Sequence, residues 1–134
     1  VAPVPSAATA GTTLYYVTQQ VPGTLCESGM AVLTVTVNPI PVAEVIAVNS
    51  LCIGSETQNN GKLILTRYRN SDEVSWNIGT PYNTGTATAF AQVPANSNGT
   101  FATGLANPTT ADQAYTVRIK NSFNCTIDRT PVLT

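Results

Sequence analysis

Cys26, Cys52 and Cys125 are the most reactive side chains of this sequence. Such thiols pair as disulfides, hold a metal or stay free. Zinc is disfavoured, because no two of them stand in a C-x-x-C spacing and histidine is absent. The lack of histidine also removes every triad or general-base scheme built on imidazole. Of the carboxylates, Asp72 and Glu73 are adjacent just before VSWNI. Neighbours on a strand point to opposite faces and cannot flank one scissile bond, so the pair reads as a turn and no catalytic residue is expected. Glu44, Asp72, Asp112 and Asp128 are scattered, with no DxD-type loop for calcium. Neither a metal nor any other cofactor is expected.

Aromatic side chains could stack on a sugar, and Tyr68, Trp76 and Tyr82 are the candidates. Trp76 is in phase with Val74 and Ile78, which makes it a core residue first. Tyr115 shares a face with Val117 and Ile119 and reads the same way. Tyr68 and Tyr82 stand beside turns. The basic trio Lys62, Arg67 and Arg69 fits a solvated strand edge that discourages unwanted pairing. The triplets NGT at Asn98 and NCT at Asn124 match the acceptor pattern for N-glycans.

These residues need elements to position them, and the composition points to strands. The chain has 134 residues, room for one domain or one domain plus a fragment. Only 10% of residues are charged, while threonine occurs 21 times and asparagine 12 times, so solubility must come from uncharged polar groups. A net charge of −1 gives no electrostatic footprint for nucleic acid or an anionic membrane. No apolar run approaches the roughly 20 residues that cross a bilayer, and no charged leader opens the sequence. Any export signal is expected to lie outside it. The cysteine content and scarcity of lysine favour an extracellular, oxidising location.

In AVLTVTVNPIPVAEVIAVN, Leu33, Val35 and Val37 alternate with Thr34 and Thr36, the period of a half-buried strand. Pro39 and Pro41 interrupt it, because neither can donate to a ladder. A module boundary is placed there. Short β-type runs follow, VAEVIAVN, KLILTRY, EVSWNI, TATAFAQV, GTFATGL, AYTVRIKN and CTIDRTPVLT. Gly, Pro, Asn and Asp in TQNNG, RNSD, GTPYNTG, PANSNG and ANPTTADQ separate them as turns. No stretch has a helical apolar period of useful length. Six or seven short strands at this spacing predict an all-β fold, an antiparallel β-sandwich of immunoglobulin-like type.

The sequence also repeats itself. Laying YYVTQQ on YTVRIK matches Tyr15 with Tyr115 and Val17 with Val117, and brings Cys26 within one residue of Cys125. A one-residue difference in the turn, where the first copy has Pro22-Gly23, explains the slip. Residues 1–41 then read as the C-terminal part of one module and 42–134 as a complete second one, tandem modules with the first truncated. A Cys52–Cys125 bond would close a long loop and add about 4 kcal/mol in the chain-entropy model. Cys26 is expected to be unpaired within this sequence. Three free thiols remain the open alternative.

GTTLYYVTQ…CESG…AVLTVTVNPIP, Gly11 to Pro41, resembles the immunoglobulin-like repeats of very large Bacteroidetes cell-surface adhesins, including gliding-motility adhesins exported by the type IX route. The stretch from Pro41 to Thr134 resembles a divergent member, with its early cysteine, mid-strand Trp, YTV and late cysteine. The resemblance implies a non-catalytic module of a secreted surface adhesin with a disulfide between Cys52 and Cys125. Its partners would be neighbouring modules of the same chain and a surface polysaccharide or other extracellular ligand. Nucleic acid and membrane insertion are not expected. The ligand-binding residues are not fixed by the sequence, and the loop from Gly79 to Gly85 is one candidate surface. The alternative is an accessory carbohydrate-binding or spacer module of a secreted enzyme.

Overall fold

The structure is a computed structural model that describes residues 4–53, 56–106, 108 and 111–134. Among them every sheet is antiparallel and no helix forms. The chain divides into two compact units, Val1–Pro39 and Ile40–Thr134.

The first unit is a hairpin of β1 (Gly11–Val17) and β2 (Ala31–Val37), in register at Tyr15 with Leu33 and Val17 with Ala31. Period-two alternation sorts its side chains into two sets. Tyr15, Val17, Leu33, Val35 and Val37 share one face, and Leu14, Tyr16 and Val32 stand among threonines on the other. None of the described residues up to Pro39 is buried. Past the strands, Val21 N–H donates to the Cys26 carbonyl at 3.2 Å and Thr24 N–H to that of Val21 at 3.1 Å. Gly23, at φ +80°, supplies the left-handed step of this turn.

The second unit has two sheets. One has the order β3 (Glu44–Val48), β6 (Gly61–Thr66), β9 (Thr100–Leu105). The other runs β11 (Thr126–Arg129), β10 (Gln113–Lys120), β7 (Glu73–Ile78), β8 (Ala91–Gln92). A final strand, β12 (Val132–Leu133), also pairs with β10. It keeps the register of β11, and Tyr115 N–H still donates to the Pro131 carbonyl at 2.9 Å. The last strand is thus one edge strand interrupted at Pro131, which lacks the N–H to continue it. A two-residue pair, β4 (Cys52–Ile53) with β5 (Glu56–Thr57), follows β3.

Leu63, Leu65 and Ala102 of the first sheet meet Val74, Tyr115, Val117, Ile119 and Leu133 of the second in one buried core, giving a sandwich-like unit. The alternation in KLIL and YTVRI is what aims these side chains inward. Trp76 packs against that core half-buried, its ring 5.7 Å from Tyr115. Ile78, in the same phase, is 63% exposed, although its cross-strand partner Tyr115 is buried.

Three expectations need correction. TATAFAQV forms a strand only at Ala91–Gln92; its first half is irregular and meets the edge of β7 where Thr88 N–H donates to the Trp76 carbonyl at 2.9 Å and Trp76 N–H donates to Thr88 Oγ1 at 3.1 Å. Lys62 is not on an edge, since β6 is the central strand of its sheet, and Arg67 and Arg69 lie in the turn beyond it. The expected Cys52–Cys125 bond is absent, and all three thiols are free. Its absence follows from topology. Arg129 Nε donates to the Ala43 carbonyl, and Asn49 and Thr134 bond each other through two hydrogen bonds, so residues 129–134 run alongside 43–49 in the same direction. Cys125 lies before that stretch and Cys52 after it. Six extended residues span about 20 Å, whereas a disulfide needs Cα atoms within about 7 Å.

Candidate functional site

The predicted chemistry disperses in the fold. Asp72 is buried, and its Oδ2 accepts the Arg69 N–H at 2.9 Å, closing the turn between β6 and β7. Glu73 bonds Lys120 at 2.6 Å instead. Asp128 takes Arg118, and Glu44 takes Arg67 at 2.9 Å across an exposed pair. Among the described residues no three Cys, Asp or Glu side chains come together as a metal site. No helix among them is long and apolar enough to cross a membrane.

The loop from Gly79 to Gly85 is pinned down over the sheet. Tyr82 Oη and the Thr88 carbonyl both bond Ser75 Oγ, Thr116 Oγ1 donates to the Gly79 carbonyl at 2.7 Å, and Asn83 N–H donates to Asn77 Oδ1 at 3.0 Å. Ser75, Asn77 and Thr116 are buried by this cover, and each polar group that faces the loop is satisfied by it. The Arg118 guanidinium lies 4.0 Å from the Tyr82 ring centroid and donates to both Asp128 oxygens at 2.7 and 2.8 Å. The hydrogen bond and charge of Arg118 hold the Asp128 carboxyl below the usual carboxylate range, against the opposing pull of partial burial. A recess of about 400 Å³ opens beside the loop, but its best polar groups are already used in holding it.

A different recess keeps its polar groups free. It measures about 570 Å³ and lies between the turn after β6 and the loop from Val93 to Gly99, with Tyr68, Asn70, Gln92, Asn96, Ser97 and Asn98 on its walls. The carboxamides of Asn70, Gln92, Asn96 and Asn98 make no hydrogen bond to the described protein, and the buried Ser97 Oγ is likewise unpartnered. Of the described asparagines elsewhere in the unit, Asn49, Asn60, Asn77, Asn83 and Asn121 bond backbone or side chain, while the side chains of Asn59 and Asn124 do not. The walls are held from behind. Leu65 N–H donates to the Gly99 carbonyl at 2.8 Å, and Gly99 has φ +84° with room for no Cβ, which would fall 2.1 Å from the Leu65 carbonyl oxygen. Asn96 and Asn98 take the left-handed conformation that asparagine tolerates best after glycine.

The chain matches no known protein family, no curated protein and no solved structure.

Of the aromatic candidates, Tyr68 lies on the recess that holds the four free carboxamides; Trp76 packs tilted against Tyr115, and the Tyr82 hydroxyl anchors its loop. The asparagines beside Tyr68 are absent from the expected site residues. RNSD and PANSNG carry them, and both read as turns on composition. The available signal was the density of carboxamides in two turns that flank the ends of neighbouring strands.

Proposed function

We propose that this chain is a non-catalytic part of a secreted bacterial cell-surface adhesin, built of immunoglobulin-like modules in tandem. The observation that carries the reading is the match between two hairpins. Val21 donates to the Cys26 carbonyl and Thr24 to that of Val21; Asn121 donates to the Cys125 carbonyl and Asn124 to that of Asn121. Each turn thus closes on a cysteine carbonyl after the YYV or YTV strand that leads into it, although the first is one residue longer. Residues 1–41 are then the C-terminal part of one module and 42–134 a complete one. The order β3-β6-β9 opposite β11-β10-β7-β8 supports the immunoglobulin-like assignment, since it is the order of strands A, B and E facing G, F, C and C′.

Such modules act by number. Weak contacts along one extended chain add through effective concentration, so each module needs a stable core more than a deep site. The extracellular setting, export by the type IX route and a role in surface attachment during gliding follow from the same reading.

Beads carrying the purified chain at graded densities, passed under flow over agarose-coated glass, test it. Retention should climb more steeply than bead density. Beads that wash off at every density overturn the reading. The second reading, an accessory carbohydrate-binding module of a secreted enzyme, is favoured by the free carboxamides around Tyr68. It gives one-to-one retention, linear in density.

A further inference from the structure

We propose that the recess beside Tyr68 is a binding site for a neutral saccharide. The inference rests on the attachment reading and names the class of ligand this module would hold.

The chemistry of the walls selects the ligand. Apart from the Tyr68 hydroxyl, no ionisable side chain lines the recess. A charged ligand would leave water there without a counter-charge, a costly exchange. A purely apolar ligand would strand the four carboxamides, each of which loses its water on binding. A carboxamide presents two donors and an acceptor side by side. Adjacent sugar hydroxyls, each donor and acceptor, answer that pattern. The Tyr68 ring, partly buried against the core, adds an apolar surface of the kind that packs on the C–H face of a sugar. The volume, about 570 Å³, falls within the roughly 300–1,000 Å³ of small-molecule sites.

The site is also held in shape before any ligand arrives. Asp72 closes the turn that carries Asn70, and Gly99 ties the far wall to the backbone of Leu65 in the core. The backbone that carries these side chains therefore need not be ordered on binding. Both walls lie at one end of the unit, where β6 ends and β7 and β9 begin. Loops at a sandwich end can vary without disturbing the core, which suits them to recognition.

The test is a titration of the ¹⁵N-labelled chain with D-glucose, D-galactose, D-mannose and N-acetyl-D-glucosamine, with D-glucuronate as the charged control. At least one neutral sugar at millimolar concentration should give saturable shifts in amides of residues 68–71 and 92–99. Glucuronate should bind more weakly than the neutral sugar. Asn70→Ala combined with Gln92→Ala should weaken binding at least about tenfold, the loss of two ordinary hydrogen bonds. Both side chains are exposed and make no hydrogen bond to the described protein, so the remaining spectrum should not change. Asn96→Gly, which keeps the left-handed backbone and removes the carboxamide, should weaken it as well. The proposal is overturned if no neutral sugar gives saturable shifts, if the shifts centre on Thr80–Gly85, or if the double variant binds as before. Beads that stay attached while sugar binding is absent overturn this site and leave the attachment reading standing. Beads that wash off while a neutral sugar still shifts residues 68–71 and 92–99 overturn the attachment reading and leave this site standing.

Discussion

Tyr15 and Val17 stand on β1 as Tyr115 and Val117 stand on β10, with similar neighbours and similar turns, yet their surroundings are opposite. Val117 is fully buried and Val17 is 46% exposed. The difference teaches that alternation specifies a face and not a core. β10 is flanked by β7 and the last strand, and its inward face meets Leu63 and Leu65 across the core. β1 has one strand beside it and no second sheet within its unit. A two-stranded hairpin without a packed face is marginal in water, and its apolar side chains gain little from being on the same side.

The largest test of that contrast is amide exchange. Amides of β6, β7 and β10 should exchange at least about a hundredfold more slowly than those of β1 and β2, because the former open only with the core. Equal protection in the two units would break the comparison and show that the hairpin is held as firmly as the sandwich.

Deleting one side chain from each unit sharpens it. Leu63→Ala removes a fully buried residue at the centre of the core and should cost about 2–5 kcal/mol in urea unfolding. Val17→Ala removes a half-exposed one and should stay within about 0.5 kcal/mol. A comparable loss at Val17 would mean that the hairpin face is covered in solution.

Backbone conformation gives the next contrast. Gly99 and Gly23 both hold φ near +80°, but a Cβ on Gly99 meets the Leu65 carbonyl while one on Gly23 meets nothing within 4 Å. Gly23→Ala should pay only the left-handed cost, about 1–2 kcal/mol within the hairpin. Gly99→Ala adds a backbone clash and should cost more than about 2 kcal/mol of the sandwich's stability, read from its urea midpoint.

Much of this contrast is legible in the residues. The strands around KLIL, VSW and YTVRI follow from period-two alternation, and their inward residues are those the pattern selects. Where alternation stops deciding, the reading fails. TATAF has the composition of a strand but forms no regular ladder: Ala87 N–H turns back to the Asn83 carbonyl, and Thr88 bonds the Trp76 backbone and accepts from Ser75 Oγ. The cysteines were paired by count and position along the chain, whereas the direction in which residues 129–134 run beside 43–49 sets Cys52 and Cys125 apart. That direction is a property of two sheets together. The carboxamides near Tyr68 are visible in sequence as turn residues, and only the fold brings the two turns to one recess.

The smallest contrast is electrostatic. Arg118 bonds both oxygens of Asp128 and holds its carboxyl below the ordinary range. A carboxyl with a depressed folded pKa supports the fold while it is ionised. Its contribution is therefore complete above the unfolded value of about 3.9 and is lost as pH falls through the lower, folded one. The two side chains are 31% and 39% exposed, so solvent screening keeps the pair below about 1 kcal/mol. Asp128→Asn should lower the sandwich's stability at neutral pH by no more than that and flatten its decline below about pH 4. Among the described residues the hairpin unit has no ion pair, and Glu27 is its one acid. Its chemical shifts should stay level through the window in which the sandwich loses the Asp128 contribution, apart from those beside Glu27. A hairpin that changes in step with the sandwich on acidification would mean that its order is borrowed from the second unit, and the contrast between an uncovered face and a packed one would then describe a single cooperative fold.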